Sequence, residues 1–198
     1  MHIRELAISD AFEITPIQHT DDRGAFLEWL KLPTLEEVLG HPFNILQANT
    51  SISKRGTLRG IHFADFPIGQ AKYVTCSRGS VIDFIIDIRI GSPTFGKWDS
   101  VLLDTEARKA VYLSEGLGHA FLALDDHSTV SYLVSDIYRP GSEHAINPLD
   151  PQIGLSFPLP QDQLLISEKD LAAPDLATAA SEGLLPNFAD AKAYYQSL

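Results

Sequence analysis

The chain has 198 residues, of which 44% are hydrophobic and 21% charged, an ordinary globular composition that argues against disorder. Its formal net charge of -11 argues against a general nucleic-acid-binding or anionic-membrane surface. No run approaches the roughly 20 apolar residues of a membrane helix, and the N-terminal residues show no secretory signal pattern, so the cytoplasm is the expected location. The single cysteine, Cys76, lies in an apolar run and is predicted to be a buried small side chain.

Glycine and proline residues divide most of the chain into short segments of strand length. The clearest strand is predicted at 81–90, where every even-numbered residue is apolar and the odd-numbered residues include Asp83. A short helix is predicted at 34–39, with Thr34 as its N-cap and Glu37 three residues on. The other strands are predicted at 24–30, 45–51, 57–63, 71–76, 98–103, 110–113, 119–124 and 129–135.

Helical patterns are otherwise confined to the C-terminal end, at 175–185 and 187–195. Many short strands with helices only at the margins are typical of a β-sandwich or barrel. The sequence shows no internal repeat, low-complexity tract or linker. We therefore expect one mainly β domain over residues 1–198, with a C-terminal helical extension from about residue 171.

A glycine-bracketed strand at 56–63 holds Arg59 and His62, three residues apart. Residues three apart on a regular strand point to opposite faces. A β-bulge would bring both side chains to one face, and Gly60 is a natural place for it. Taken alone, His62 is more often a structural histidine than a catalytic one.

A second glycine-spaced segment, 114–121, holds His119. Together the two segments resemble the two halves of the cupin signature, which implies a double-stranded β-helix, or jelly roll. In metal-binding cupins the first half contains His-x-His, and Ala64 stands here in place of the second histidine. Two imidazoles, His62 and His119, make a poor site for zinc or iron, so we expect neither a metal nor another cofactor.

Further motifs follow one another in an order that is shared with one cupin family. They lie at 21–24, 47–49, 58–63, 70–73, 87–96, 115–121, 131–133, 138, 143, 150–151 and 167–170. On these motifs the chain resembles the dTDP-4-dehydrorhamnose 3,5-epimerases and the related epimerases of deoxysugar antibiotic pathways. The resemblance spans roughly residues 3–188. It departs from the usual pattern at Ala120, where glycine is common, and at Lys169, where many members carry arginine.

The resemblance implies a substrate that carries a 4-keto-6-deoxy sugar on thymidine diphosphate. Protons beside the ketone, at C3 and C5, must leave and return on the opposite face, which requires a base, an acid and a group that stabilises the enolate. By resemblance His62 is the base, Tyr132 the opposing acid and Lys72 the cation beside the oxyanion. Asp170 would orient His62, with Asp83 as a rival for that role.

The resemblance also implies the groups that bind the substrate. Arg23 and Arg59 suit the diphosphate, because guanidinium groups match phosphate oxygens, and Tyr138 suits stacking on thymine. Strand periodicity predicts that Gln47 and Asn49 share a face. The remaining expected contacts are Phe26 and Glu28, which are predicted to share a face of the first strand, and His119, Glu143 and Lys169.

Three alternatives stay open at this point. A single-site epimerase, acting at C3 or at C5, would use the same His62, Tyr132 and Lys72. A non-catalytic cupin that binds a sugar nucleotide would need neither proton-transfer group, and a metal-dependent cupin is disfavoured by Ala64. The family also implies a homodimer with exchanged N-terminal strands, in which Arg23, Phe26 and Glu28 reach the neighbouring pocket.

Overall fold

Two six-stranded sheets packed face to face form the body of the molecule, which is described by a computed structural model over residues 1–67 and 69–198. The first sheet has the order β1 (His2–Glu5), β2 (Ala11–Thr15), β10 (Ala110–Leu113), β7 (Lys72–Arg78), β12 (Ser128–Val134) and β5 (Gln47–Ser53). The second has the order β13 (Glu143–Ala145), β6 (Thr57–Ala64), β11 (Gly118–Ala123), β8 (Ser80–Ile86) and β9 (Trp98–Asp104), with β14 (Leu165–Ile166) parallel to β6.

The remaining elements lie outside these sheets. A separate hairpin joins β3 (Gln18–Asp21) to β4 (Gly24–Leu27). The helices are α1 (Leu32–Leu39), a 3-10 turn (Gln161–Gln163), α2 (Glu168–Leu171), α3 (Leu176–Ser181) and α4 (Phe188–Ser197). Among the described residues, none of these helices has the length and apolar character needed to span a membrane.

Apolar side chains fill the space between the sheets and cover both outer faces. The inner core includes Val74 and Val130 of the first sheet and Ile85 and Phe121 of the second. A second cluster packs the outer face of the second sheet against the C-terminal segments, and a third packs the outer face of the first sheet against α1. The expected cupin-like jelly roll with short C-terminal helices is confirmed, and Cys76 is buried in the inner core as predicted.

The strand predicted at 81–90 ends earlier, at Ile86. Its even-numbered face packs beneath the C-terminal segments, and its odd-numbered face, predicted to be mixed, is buried between the sheets. The strand ends because Asp87 accepts hydrogen bonds from the Arg89 guanidinium, at 2.9 Å, and from the hydroxyls of Ser92 and Thr94, at 2.6 Å. These bonds fold the chain back on itself, so the backbone cannot continue along the sheet.

Strands β1, β2, β3, β13 and β14 were not predicted. Each has five residues or fewer, and pairing with neighbouring strands decides their state. The prediction of Thr34 as the N-cap of α1 is wrong, since the helix begins at Leu32 after Lys31, with Pro33 in its first turn. Strand β4 ends at Leu27, so Glu28 lies beyond the strand that was predicted to carry it.

A bulge at Gly60 sets the direction of the two polar side chains on β6. On the neighbouring strand β11, His119 pairs with His62 and Phe121 with Arg59, so β6 has one extra residue in this interval. Gly60 has a φ of 111°, in the region that favours glycine. The predicted bulge is confirmed, and it brings Arg59 and His62 to the inner face of the sheet.

This geometry predicts that Gly60→Ala destabilises the protein more than Gly91→Ala. Both glycines have positive φ values, but only at Gly60 would a Cβ overlap the carbonyl oxygen of His119 and lie 2.8 Å from the Cβ of Ala120, whereas Gly91 faces open space. We expect an additional loss of about 1–3 kcal/mol in the free energy of unfolding for Gly60→Ala, as in overpacked cores. Denaturant unfolding of both variants measures it, and equal losses would contradict the close approach of β6 and β11.

Candidate active site

The inner faces of both sheets carry polar side chains at one end of the sandwich. His62 lies near the end of β6, opposite His119 near the start of β11. Lys72 begins β7 and pairs with Val134 at the end of β12, so Tyr132 is its diagonal neighbour on the same face. Two walls therefore meet here, with the histidines on the second sheet and the lysine and tyrosine on the first.

His62 is held by a buried carboxylate. Its Nε2 lies 2.8 Å from Oδ1 of Asp170, and the side chains are 40% and 6% exposed. Asp170 belongs to α2, whose N-cap Ser167 accepts a hydrogen bond from the Asp170 N–H at 3.1 Å. Burial tends to raise the pKa of Asp170, but the hydrogen bond and charge of His62 outweigh it and the net pKa is lowered. An ionised Asp170 at Nε2 leaves Nδ1 of His62 for a ligand in the pocket.

Asp83 contacts the other histidine. Its Oδ2 lies 2.8 Å from Nε2 of His119, and both side chains are buried. Asp83 is on the inner face of β8, where it pairs with Phe121 of β11. Of the two carboxylates that were rivals for His62, the structure brings Asp170 to it and Asp83 to His119.

Burial lowers the pKa of the lysine and raises that of the tyrosine, because it disfavours the charged form of each. Desolvation lowers the pKa of Lys72, although the charges of Glu143 and Asp83 partly oppose this. Desolvation raises the pKa of Tyr132; Glu143 raises it further, and Arg59 lowers it. The Tyr132 phenol therefore keeps its proton at neutral pH and is suited to act as an acid. Lys72 remains a cation only below its lowered pKa.

The neighbouring polar residues line the same end of the sandwich. Gln47 pairs with Val134 and Asn49 with Tyr132, so both share the inner face as predicted, and Gln47 Nε2 donates to Asn49 Oδ1 at 2.7 Å. The Tyr138 N–H donates to Gln47 Oε1 at 3.0 Å, which ties the loop after β12 to this wall, while the Tyr138 ring is exposed.

The second sheet contributes further polar groups. Arg59 is exposed on β6, and its Nε donates to the buried Ser53 Oγ at 3.2 Å. Glu143 begins β13 opposite Ala64, and its charge acts on both Lys72 and Tyr132. Both residues therefore lie near Tyr132, on whose pKa their charges act.

Four expected binding residues are not brought into this pocket within one chain. Three lie on or beside the β3–β4 hairpin, whose strands pair with no other strand among the described residues. Arg23 is 89% exposed with its guanidinium 2.5 Å from Asp21, Phe26 is 69% exposed, and Glu28 lies beyond the end of β4. The fourth, Lys169, is exposed on α2 beside Asp170.

A family model described as dTDP-4-dehydrorhamnose 3,5-epimerase matches residues 5–178 of the chain. The chain belongs to this family. A dTDP-4-dehydrorhamnose 3,5-epimerase of Mycolicibacterium smegmatis is 53% identical over 198 residues, covering 100% of this chain and 97% of that one.

Solved structures of other epimerases share the fold. The rmlC epimerase of Mycobacterium tuberculosis superimposes with a TM-score of 0.96 at 48% identity, covering 100% of this chain and 99% of that one. A 3'-monoepimerase of Streptomyces bikiniensis, in complex with dTDP-quinovose, gives a TM-score of 0.93 at 46% identity, covering 97% and 96% of the two chains. The chain is therefore an isomerase of the epimerase family.

The donor set of this epimerase does not fit a metal ion. Within residues 1–67 and 69–198, no group of three or more His, Cys, Asp or Glu side chains is arranged to hold one. His62 and His119 each direct Nε2 at a carboxylate, and Ala64 occupies the position of a further histidine.

One supporting residue, Ser53, was not predicted, and Asp83 was predicted only as a possible partner of His62. Ser53 positions Arg59, and the polar alternation of Gln47, Asn49, Ser51 and Ser53 along β5 could have placed its hydroxyl on the inner face. The role of Asp83 beside His119 had no local signal, because the two residues are 36 positions apart. Such a contact follows from the pairing of β8 with β11.

Proposed function

We propose that this epimerase inverts C3 and C5 of dTDP-4-dehydro-6-deoxy-D-glucose, giving dTDP-4-dehydro-L-rhamnose, by proton transfer without a metal or cofactor. The observation that supports the proposal is that His62 and Tyr132 lie on the inner faces of opposite sheets at the same end of the sandwich, with Lys72 beside Tyr132 and the charge of Glu143 acting on both Lys72 and Tyr132. Inversion of a carbon beside a ketone requires a base on one side of the ring and an acid on the other.

The reaction begins when His62 removes the proton next to the C4 ketone. The C–H electron pair forms the enolate, and the negative charge develops on the C4 oxygen. Asp170 stabilises the resulting imidazolium through its 2.8 Å contact with His62. Lys72 stabilises the oxyanion from a half-buried position, where a charge acts more strongly than in water. Tyr132 donates its phenolic proton to the opposite face of the carbon, and exchange with solvent then removes the proton from His62 and returns one to Tyr132.

The other expected residues hold the nucleotide and the sugar. Arg59 binds the diphosphate through its guanidinium, which the contact with Ser53 orients. Tyr138 stacks on thymine, which its exposed ring permits. Gln47, Asn49, His119 and Glu143 complete the contacts to the substrate, and the exposed Lys169 adds positive charge at the rim beside Asp170. The anionic ligand is thus bound by local positive charge on a chain whose net charge is -11.

Arg23, Phe26 and Glu28 contact the substrate bound to the partner subunit of a homodimer with exchanged N-terminal strands. The hairpin supports this, because it presents an apolar ring and an arginine to solvent and pairs with no other strand of the described chain. A lone exposed hairpin gains its stability from further packing. Our prediction of a cytoplasmic location is unchanged.

A second candidate function is epimerisation at C3 alone. The similarity to the Streptomyces bikiniensis 3'-monoepimerase, at 46% identity, favours keeping it as the alternative. Both functions share the base, the acid and the lysine, so the number of carbons that exchange hydrogen distinguishes them.

Incubation with the 4-keto sugar nucleotide in heavy water tests the proposed function. We expect deuterium at both C3 and C5, because each carbon lies beside the same ketone and one enolate-stabilising lysine serves both. His62→Asn should bind the nucleotide normally and lower turnover by about 10²–10⁴, as for loss of a general base. Tyr132→Phe should keep exchange at both carbons and impair inversion at one, because Tyr132 reprotonates one of the two carbons and solvent supplies the proton at the other.

NMR and mass spectrometry of the recovered sugar nucleotide report the exchange. Deuterium at C3 alone in the wild-type protein would replace the proposal with a monoepimerase. No exchange at either carbon, with tight nucleotide binding, would identify a non-catalytic cupin.

The pH dependence of kcat/KM should show that Lys72 must be protonated. Burial lowers the pKa of Lys72 below its ordinary value of 10.5. Activity is therefore present below the lowered pKa and is lost as the pH rises through it. Lys72→Arg should remove this alkaline loss, since guanidinium stays charged, while Lys72→Ala should lower turnover by about 10²–10³, as for a lost oxyanion donor. Tyr132→Phe is the control and should keep the alkaline loss.

The profiles are measured from pH 6 upward with circular dichroism to verify folding. An alkaline loss in Lys72→Arg that matches the wild-type profile would assign the titration to another group.

Mixed dimers test the exchange of the hairpin. Arg23→Ala and His62→Asn chains are each expected to be weakly active alone. When the two chains are co-expressed, each heterodimer should have one intact site out of two. If the chains pair at random, about half of the dimers are heterodimers, so about a quarter of wild-type activity should return. If the hairpin serves its own chain, every site keeps one defect and activity stays low. Sedimentation at assay concentration verifies the dimer, and a fully active monomer would contradict it.

A further inference from the structure

A buried glutamate lies beside the strand ends that carry Lys72 and Tyr132. Glu115, in the loop between β10 and β11, is 3% exposed, and its Oε1 accepts a hydrogen bond from Ser135 Oγ at 2.8 Å. Ser135 Oγ in turn accepts from the Ala71 N–H at 2.9 Å. We call these three residues, Glu115, Ser135 and Ala71, the clasp.

The clasp closes the ladder between β7 and β12 at the pocket end. Its backbone completes the link, since the Ser135 N–H donates to the Ala71 carbonyl at 3.1 Å. The adjoining loops are joined as well, because Gln70 Nε2 donates to the carbonyl of Asp136 at 2.9 Å. Lys72 directly follows Ala71, and Tyr132 precedes Ser135 by three residues. Strand ends fray unless they are held, so the clasp restrains both side chains where they enter the pocket.

Glu115 is itself fixed on two sides. The Tyr195 hydroxyl, on α4, donates to its backbone carbonyl, and Gly69 packs so closely that a Cβ there would lie 2.7 Å from the Glu115 Cβ. Its second carboxyl oxygen, Oε2, is buried without a hydrogen-bond partner among the described residues. Burial raises the pKa of Glu115. A buried oxygen without a hydrogen-bond partner lowers the stability of the fold, so a contribution to stability does not by itself explain a carboxyl group at this position.

We propose that Glu115 is a positioning residue, which acts through Ser135 to fix the spacing of Lys72 and Tyr132 at the substrate. The proposal rests on the proposed function, since both residues act in the chemical step. Misplacement of a reacting group by about 1 Å can cost about 10²-fold in rate. Arg59 lies on the other sheet and does not depend on the clasp, so diphosphate binding should be preserved.

The test compares two single variants of the otherwise wild-type protein, Ser135→Ala and Ser77→Ala. Ser77 Oγ also links the two strands, donating to the Thr129 carbonyl at 3.3 Å, but at the end of the ladder away from the pocket. We expect Ser135→Ala to lower kcat by about 10–10²-fold with KM within about threefold. Ser77→Ala should leave both constants unchanged. Glu115→Gln keeps a carbonyl acceptor for Ser135 and should retain kcat within about threefold of wild type.

Thermal unfolding and deuterium exchange at C3 and C5 accompany the kinetics, and all rates are measured below the unfolding transition of each variant. A wild-type kcat in Ser135→Ala would overturn the proposal, as would equal losses in the Ser135 and Ser77 variants. A loss in Glu115→Gln as large as in Ser135→Ala would also overturn it. If the wild-type protein itself neither epimerises nor exchanges the substrate, the proposed function fails and the positioning role fails with it.

Discussion

Desolvation between two apolar sheet faces is the constraint on which the site depends. The inner core leaves little water to solvate ionised groups, and several of the ionisable groups at the pocket end are paired or shifted in pKa. Asp170 and Asp83 each hold a histidine, while burial lowers the pKa of Lys72 and raises that of Tyr132. The same desolvation acts on the groups that we propose as the cation and the acid of the reaction.

The C-terminal region belongs to the framework of the site. It contains Asp170, which contacts His62 although the two residues are 108 positions apart in the sequence. Leu176 of the following helix is buried under the second sheet. Further along, α4 is anchored on the buried guanidinium of Arg89, which lies 4.9 Å from the centroid of the Phe188 ring. These contacts hold the helices against the sheet, so the carboxylate approaches the histidine from a packed element rather than from a mobile tail.

Two local devices set the geometry of the two walls. On the second sheet, the bulge at Gly60 turns Arg59 and His62 to the same face. On the first sheet, the hydrogen bonds of Glu115 and Ser135 close the strand ends at the pocket. Each device restrains one wall without contacting the other, and the apolar core between the sheets sets their separation.

The sequence alone determined the fold class, the principal strands and the bulge, because alternation and glycine placement act within a few consecutive residues. Ordered motifs also identified the family and pointed to His62, Lys72 and Tyr132, which the structure places on the inner faces at one end of the sandwich. The tertiary structure decided that Asp170 and not Asp83 contacts His62, and that Arg23 and Phe26 lie on an exposed hairpin outside the pocket of their own chain. Such contacts join segments far apart in sequence, and their physical cause is the pairing of strands and the packing of sheets, which local periodicity does not encode.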